Sequence, residues 1–248
     1  MTALILLFLL APAHAGITET KHMKDVVDAA GEGTLLVFDI DDTLTQPKQD
    51  LGSDHWYYFI AKRLMQTQKL TESQAYDKAG ELWDKVQPML EMETVEPETA
   101  GLIKHAQFVG IKTMALTSRD KELAAVTEKQ LASVGISFVG QSVSDKDVVV
   151  GPEEPATYTR GVMYVGDSEK GASLFRLLKK TGYAPKKIVY VDDKLKHVRT
   201  VERAAGSLGI PYEGFRYAAV DDHNARFNAD MNKADLYCNG VAEPEKAK

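Results

Sequence analysis

Cysteine is almost absent from this chain of 248 residues. Cys238 is the only one, so no internal disulfide can form and no thiolate pair can hold a metal ion. Basic residues are also in deficit, because 30 Lys and Arg face 36 Asp and Glu and leave a formal net charge of −6. Binding along a nucleic-acid backbone requires a basic surface. We therefore exclude nucleic acid as a partner.

Long apolar runs are lacking as well. The run at residues 3–12 is too short to span a bilayer, and Ala13, His14 and Ala15 follow it as a small-x-small pattern that a signal peptidase could cut. This pattern predicts a signal peptide at residues 1–15 and a periplasmic or secreted mature protein. No second apolar stretch in the sequence could serve as a stable membrane anchor.

The order of apolar and helical segments indicates the fold class. The sequence has short apolar or β-branched runs at 34–38, 111–116, 162–165 and 188–191. Between these runs lie stretches whose apolar residues have the spacing of a helix. This alternation is typical of βαβ units on a parallel sheet. The length suits one domain with an insertion. We predict an α/β fold with a doubly wound parallel sheet, formed by residues 16–45 and 96–240, and a flexible tail at 241–248.

Residues 46–95 interrupt this alternation, because they hold two successive helical patterns with no strand pattern between them. Thr71 and Gln74 have the spacing of a capping box that opens the second helix. We predict a small helical cap inserted after the first strand. The cap residues expected to set substrate specificity are Ser53, Asp54, His55 and Trp56.

The strongest chemical signal is the segment Phe-Asp-Ile-Asp-Asp-Thr-Leu at 38–44, directly after a predicted strand. Ligands of open α/β sheets bind beyond the carboxyl ends of the strands, so Asp39 and Asp41 should face that crevice. Three carboxylates within four residues repel one another unless a cation neutralises them, and oxygen ligands select a hard ion such as Mg²⁺. A carboxylate can also attack phosphorus while a protonatable neighbour transfers the proton.

The same segment resembles the first motif of the haloacid dehalogenase (HAD) superfamily, Asp-x-Asp-x-Thr, at Asp39, Asp41 and Thr43. The resemblance implies that Asp39 is the nucleophile, that Asp41 is the general acid and base, and that Mg²⁺ is the cofactor. In that superfamily an Asp at position 41 is typical of phosphatases and phosphomutases rather than of transport ATPases.

Two further motifs of that superfamily concern the phosphate group. Thr117 and Ser118 follow the next core strand, and the resemblance implies that the Thr117 hydroxyl and the backbone N–H groups near Ser118 bind phosphoryl oxygens. Lys170 begins a predicted helix and matches the lysine that offsets the negative charge of phosphate and nucleophile.

The fourth motif is acidic and follows the last core strand at Asp192 and Asp193. The resemblance implies that these carboxylates complete the Mg²⁺ site together with Asp39 and the backbone carbonyl of Asp41. We expect Asp193 to be the direct ligand. Asp192 is then its close partner, joined through water or through a hydrogen bond to Lys170.

Gly166 and Asp167 offer a competing fourth motif, which would make the chain similar to the class B acid phosphatases. That alignment requires a lysine-bearing helix between Thr117 and Asp167. Glycines and prolines at positions 140, 151, 152 and 155 disfavour a helix there. We therefore place the fourth motif at residues 192–193.

Beyond these motifs, the chain resembles a bacterial family known as domain of unknown function 2608. The shared segments are Pro-Lys-Gln-x-Leu-Gly-Ser-Asp-x-Trp at 47–56, Leu-Thr-Ser-Arg at 116–119, Lys-Gly-x-x-Leu at 170–174 and Val-Asp-Asp at 191–193. The resemblance covers nearly all of the mature chain, and it implies no substrate.

We predict a Mg²⁺-dependent phosphatase that acts through an aspartyl-phosphate on a small phosphorylated substrate or a phosphopeptide. A phosphotransferase or phosphomutase would use the same motifs, because only the phosphoryl acceptor differs. A receiver-like module without catalysis would also carry clustered Asp, Thr and Lys, but the signal peptide, the cap and the Asp at position 41 disfavour it. The oligomeric state has no signature in the sequence.

Overall fold

The computed structural model describes residues 16–151, 155–224 and 227. The predicted signal peptide at 1–15 and the predicted tail at 241–248 lie outside these described residues, as does Cys238. Within the described ranges, no helix is both long enough and apolar enough to cross a membrane.

The described strands and helices alternate along the chain. The strands are β1 (Gly16–Thr20), β2 (Thr34–Phe38), β3 (Thr45–Pro47), β4 (Met92–Thr94), β5 (Lys112–Thr117), β6 (Val148–Val150), β7 (Ala156–Thr159), β8 (Val162–Tyr164), β9 (Lys187–Asp192) and β10 (Tyr212–Tyr217). The α-helices are α1 (Met23–Asp28), α2 (Asp54–Gln68), α3 (Glu72–Val86), α4 (Thr99–Phe108), α5 (Ala124–Ser133), α6 (Lys170–Thr181), α7 (Leu195–Leu208) and α8 (Asp221–Asn224). One short 3-10 turn, Gln87–Met89, follows α3, and another, Lys121–Leu123, precedes α5.

One eight-stranded sheet forms the centre of the core, in the order β1-β10-β9-β2-β5-β8-β7-β6. Neighbours from β1 to β8 run parallel, whereas β7 and β6 are antiparallel to their neighbours. The chain leaves β2 for β5 on one side and later returns to β9 on the other side. The carboxyl end of β2 is therefore a topological switch point, where α/β sheets bind their ligands.

Helices cover both faces of this sheet. On β2, Leu36 and Phe38 pack in the cluster that contains residues of α1, α4 and α5, while Leu35 and Val37 pack with residues of α6 and α7. Consecutive strand residues point to opposite faces, and both faces of β2 are apolar because both are covered. The predicted α/β fold with a doubly wound and mostly parallel sheet is confirmed.

The four predicted core strands correspond to β2, β5, β8 and β9 to within one residue at each end. The sequence pattern does not predict β1, β6, β7 and β10. Strand β1 reads Gly-Ile-Thr-Glu-Thr and is largely exposed at the sheet edge, so it lacks the apolar run of a buried strand. Because β1 precedes β2, the helical insertion follows the second of the described strands.

Helices α2 and α3 form this insertion, which we call the cap, and they pack on each other through their own apolar cluster. At the start of α2, the Ser53 hydroxyl accepts a hydrogen bond from the Trp56 N–H at 3.1 Å. Thr71 and Gln74 form the expected capping box at the start of α3. The chain enters the cap through β3 and leaves it through β4, and these two strands pair as an antiparallel ribbon.

Candidate active site

The carboxyl ends of three adjacent strands bring the predicted site residues together. Asp39 directly follows the central strand β2, and its N–H donates to the carbonyl of Val191 in β9 at 2.9 Å. Thr117 ends β5 on one side of β2, and Asp192 ends β9 on the other. Three motifs that are far apart in sequence thus meet at one edge of the sheet.

Lys170 joins two of these carboxylates through its ammonium group. Its Nζ donates to Asp39 Oδ1 at 2.5 Å and to Asp192 Oδ2 at 2.7 Å, and all three side chains are buried. The Tyr190 hydroxyl donates to the same Asp192 oxygen at 2.5 Å. Burial alone would lower the pKa of Lys170, but Asp192 and Asp39 raise it overall, so the ammonium stays charged.

The positive charges near Asp39 do not fully offset the effect of burial and of the neighbouring carboxylate on its pKa. Burial and the neighbouring Asp192 raise the pKa of Asp39 to about 7, although Lys170 and Lys194 act in the opposite direction. A carboxylate nucleophile must be ionised. A further cation next to Asp39 would favour that ionised state.

Asp193 supplies the carboxylate that is least satisfied by the protein. Its Oδ1 is buried and has no hydrogen-bond partner in the described part of the chain, while its N–H donates to Thr43 Oγ1 at 3.1 Å. Burial, opposed by Lys194 but assisted by Asp192 and Asp39, raises the pKa of Asp193 to about 9. A buried carboxylate in this state needs either a proton or a cation.

Asp39, Asp192 and Asp193 can each place one oxygen so that these atoms lie within 4.8 Å of one another. Asp42, Asp54 and Asp193 form a second such group, which shares Asp193. Donor sets made of carboxylate oxygens suit a hard divalent cation such as Mg²⁺. The orphan oxygen of Asp193 and this all-oxygen set therefore fit the expected metal.

Asp41 is held by Arg119, a residue that the sequence motifs do not mark as functional. The guanidinium binds both Asp41 oxygens, at 2.9 and 2.8 Å. It also donates to Thr127 at 3.0 Å and to Gln130 at 2.6 Å, and it lies 5.3 Å from the ring centroid of Trp83. Burial alone would raise the pKa of Asp41, but Arg119 lowers it overall. The carboxylate is therefore ionised and held against Arg119.

Thr117 and Ser118, which with Lys170 are predicted to bind phosphate, differ in exposure. Thr117 is buried at the end of β5, and its hydroxyl oxygen accepts a hydrogen bond from the Arg119 N–H at 3.1 Å. A hydroxyl that accepts one hydrogen bond can still donate its own proton. Ser118 is exposed and lines the cavity above the strand ends.

A cavity of about 730 Å³ lies between the cap and the core. Its cap wall is made by residues of α2 and α3, namely Asp54, Tyr57, Tyr58, Tyr76, Asp77, Gly80, Glu81, Trp83 and Asp84. Its core wall is made by Asp41, Ser118, Arg119, Asp120, Gly166, Asp167, Ser168, Glu169, Lys194, Lys196, His197 and Thr200. Small-molecule sites commonly have volumes of about 300–1,000 Å³. The cavity thus has the size of a substrate pocket that includes Asp41.

The four predicted cap residues have different surroundings. Asp54 lines the cavity and accepts a hydrogen bond from Lys194 Nζ. Ser53 caps α2, Trp56 is buried in the cap's apolar cluster, and the His55 ring lies 5.9 Å from that of Phe227. Helical spacing from Asp54 would have pointed instead to positions 57 and 58, because residues three and four apart share a helix face.

Asp167, the competing acidic residue, lies on the other side of β5 from Asp39. It follows β8, which pairs with β5, whereas Asp192 ends β9, which pairs with β2. Asp167 lines the cavity, but the carboxylates that share the surroundings of Asp39 are Asp192 and Asp193.

Comparison with known proteins gives a family and distant relatives. The sequence model of the DUF2608 family, described as "Protein of unknown function", matches residues 19–242. A Chlamydia pneumoniae protein is 29% identical over 196 residues, which cover 77% of this chain and 72% of the relative. A second protein of that organism is 24% identical over 269 residues, covering 100% and 97%. Both carry the name "Putative outer membrane protein".

A solved structure from Thermotoga maritima has low similarity to the chain. The protein in that structure is named a "putative beta-phosphoglucomutase", and the comparison reaches a TM-score of 0.42 at 13% identity. The match covers 78% of this chain and 100% of that one.

Replacing Arg119 with Gln will lower the free energy of unfolding by about 3 kcal/mol, because it leaves the Asp41 carboxylate without its partner. Urea unfolding followed by circular dichroism measures this loss. The matched control is Arg160→Gln, which breaks a more exposed ion pair with Glu128 and will cost less than about 1 kcal/mol. Equal losses in the two variants would show that Arg119 contributes no more than a surface arginine.

Proposed function

The chain belongs to the DUF2608 family, and we propose that it is an exported, Mg²⁺-dependent phosphatase that hydrolyses phosphomonoesters through an aspartyl-phosphate. One observation carries this proposal. Asp39 is buried at the switch point of the sheet, bonded to Lys170 and grouped with Asp192 and Asp193, and Asp41, two residues further along, lines the cavity between cap and core. The order of the motifs, which is that of the HAD superfamily, supports the same chemistry.

In the proposed reaction, the carboxylate of Asp39 attacks phosphorus and displaces the alcohol oxygen of the ester. Because Lys170 bonds to Oδ1, we assign the attack to Oδ2. Because Arg119 holds Asp41 ionised, Asp41 first takes up a proton from solvent. It then donates this proton to the departing oxygen and later takes one from the water that cleaves the aspartyl-phosphate. Arg119 binds both oxygens of Asp41, so Asp41 must turn away from Arg119 to reach the substrate.

Lys170 and Thr117 would stabilise the negative charge of the reaction directly, and the carboxylates would do so by holding a cation. Lys170 offsets the charge of the nucleophile, and the Thr117 hydroxyl donates to a phosphoryl oxygen. Asp39, Asp193 and the backbone carbonyl of Asp41 would hold Mg²⁺, with Asp192 bonded to Lys170 beside them. When bound, the ion neutralises the carboxylates and the phosphate and so permits their approach.

Export is supported by two separate observations. The apolar run at 3–12 is followed by a signal-peptidase pattern. Relatives from Chlamydia pneumoniae carry outer-membrane names. The mass of the mature chain would show directly whether residues 1–15 are removed.

Phosphate release from an aryl phosphate will require Mg²⁺. A chelator will abolish the reaction, and added Mg²⁺ will restore it, because the clustered carboxylates cannot otherwise accept a phosphate dianion. Asp193→Asn will raise the Mg²⁺ concentration needed for half-maximal rate by about tenfold or more, since outer partners alone change metal affinity by about 10–100-fold. The exposed Asp145 provides the control variant Asp145→Asn.

The melting temperature measures metal binding independently of catalysis. An ion that binds the folded chain raises its melting temperature. Mg²⁺ should therefore stabilise the wild type and the Asp145→Asn control, but stabilise Asp193→Asn much less. Full activity in the presence of chelator would contradict the proposed metal site, and phosphoryl transfer to an added alcohol instead of water would favour a phosphotransferase.

A further inference from the structure

The cap wall of the cavity carries negative charge that the protein does not neutralise. Asp77, Glu81 and Asp84 lie on one stripe of α3 and line the cavity, and Asp120 and Asp167 line it from the core. None of the five has an ion-pair partner among the residues that the structure describes. These five carboxylates differ from those of the catalytic centre, which are bonded to Lys170, Arg119 or Lys194.

The cationic side chains of the cavity are largely committed elsewhere. Arg119 is bonded to Asp41, and Lys194 Nζ is bonded to Asp54. Burial lowers the pKa of His197 to about 4, so this ring is neutral at physiological pH. Lys196 is the remaining lysine of the described cavity lining.

The unneutralised carboxylates influence one another across the gap between cap and core. Burial and the core residue Asp120 raise the pKa of the cap residue Asp84 to about 6. Burial, Glu122 and Asp167 raise the pKa of Asp120 in turn. A cation placed between these walls would relieve this repulsion.

An aromatic group stands beside this acidic wall. The ring of Tyr57 lies 5.2 Å from that of Tyr58 and 5.8 Å from that of Tyr76, and all three line the cavity. Burial, the two neighbouring tyrosines, Asp54 and Asp167 raise the pKa of Tyr57 to about 12. Aromatic rings attract organic cations, and Trp83 in the same cavity already faces the Arg119 guanidinium.

We propose that the cavity selects phosphomonoesters whose leaving group is an alkylammonium alcohol, with the cation held between the tyrosines and the carboxylates of α3. The proposal rests on the proposed phosphatase function, because it assumes that the phosphate end reaches Asp39. The cavity volume of about 730 Å³ matches a small molecule of this kind. Anionic leaving groups, such as acidic phosphopeptides, would meet repulsion from the same wall.

Two esters of equal shape test the cation directly. Choline phosphate carries a quaternary ammonium, and 3,3-dimethylbutyl phosphate replaces that nitrogen by carbon. We expect wild-type kcat/KM to be about fivefold higher for the charged ester, because Tyr58 is exposed and a cation–aromatic contact at an exposed site is weaker than a desolvated one. Calorimetric binding of both esters to Asp39→Asn with Mg²⁺ gives the same comparison without turnover.

The double variant Asp77→Asn/Glu81→Gln tests whether the carboxylates of the cap wall cause the preference for the charged ester. In this variant the ratio of the two affinities should fall several-fold toward one. The control Asp145→Asn/Asp147→Asn removes the same charge from exposed positions outside the cavity and should keep the wild-type ratio. Raising the salt concentration should reduce the ratio in the wild type as well.

The outcomes separate this inference from the proposed function. Equal rates and equal binding for the two esters would overturn the cation site, even if an aryl phosphate is hydrolysed. A preference that survives unchanged in Asp77→Asn/Glu81→Gln would also overturn it. Preferential binding of the charged ester without hydrolysis of any ester would support the cation site and contradict the phosphatase.

Discussion

Replacing Asp39 with Asn will reduce phosphate release to the background rate, because the amide cannot form the aspartyl-phosphate. The change keeps the shape of the side chain, so the fold should be retained. Replacing Asp41 with Asn will act differently, since it removes the proton donor and the later base but leaves the nucleophile. Loss of general acid–base catalysis costs about 10²–10⁴-fold.

A trapping experiment distinguishes the two roles. With a good leaving group, Asp41→Asn should still form the covalent intermediate, and its hydrolysis should become the slow step. Rapid quenching with labelled substrate should then show covalent label on Asp41→Asn and none on Asp39→Asn. Label on Asp39→Asn, or full turnover by Asp41→Asn, would contradict the proposed mechanism even though the α/β fold stands.

The parts of the site that sequence reasoning could find are those fixed by the sheet. Asp39, Thr117 and Asp192 each come at the end of an apolar run, and the carboxyl ends of parallel strands meet at one edge. Lys170 begins the helix that precedes β9, and its role is implied by the resemblance to the HAD superfamily. Local pattern predicts the strand ends, whereas the roles of Thr117 and Lys170 depend on that resemblance.

The parts that sequence reasoning does not find depend on how the cap rests on the core. Arg119 reaches Asp41 across a separation of 78 residues, and no local pattern predicts that contact. The spacing of α2 predicts a helix, but not which of its faces meets the cavity. As a result Trp56, expected near the substrate, packs inside the cap, while Tyr57 and Tyr58 line the cavity.

The side-chain contacts of Asp192 and Asp193 bear on which of the two would bind Mg²⁺ directly, and the sequence pattern does not show these contacts. Asp192 accepts hydrogen bonds from Lys170 and Tyr190 on one oxygen and from the Lys194 N–H on the other. Asp193 has one oxygen without such a partner within the described residues. Asp193 as the direct ligand therefore remains a prediction, and the Mg²⁺ titration of Asp193→Asn tests it.

Replacing Lys170 with Met will both inactivate and destabilise the protein. The change keeps the length of the side chain but leaves Asp39 and Asp192 buried together without their shared cation. Breaking a buried pair in this way costs about 3–5 kcal/mol of stability, and losing one preorganised charge stabiliser costs about 10²–10³-fold in rate. Urea unfolding and steady-state kinetics measure the two effects separately.

Lys146→Met is the matched control for this variant, because Lys146 is exposed in the segment before β6. It should change kcat/KM by less than about twofold, as surface substitutions usually do. Adding Mg²⁺ at saturating concentration should not rescue Lys170→Met, because the ion would not replace the ammonium that bonds both Asp39 and Asp192. Equal effects of the two lysine variants would show that Lys170 is not the cation of the site and would reopen the alignment in which Asp167 takes the place of Asp193. A loss of stability with unchanged kcat/KM would instead make Lys170 a purely structural residue.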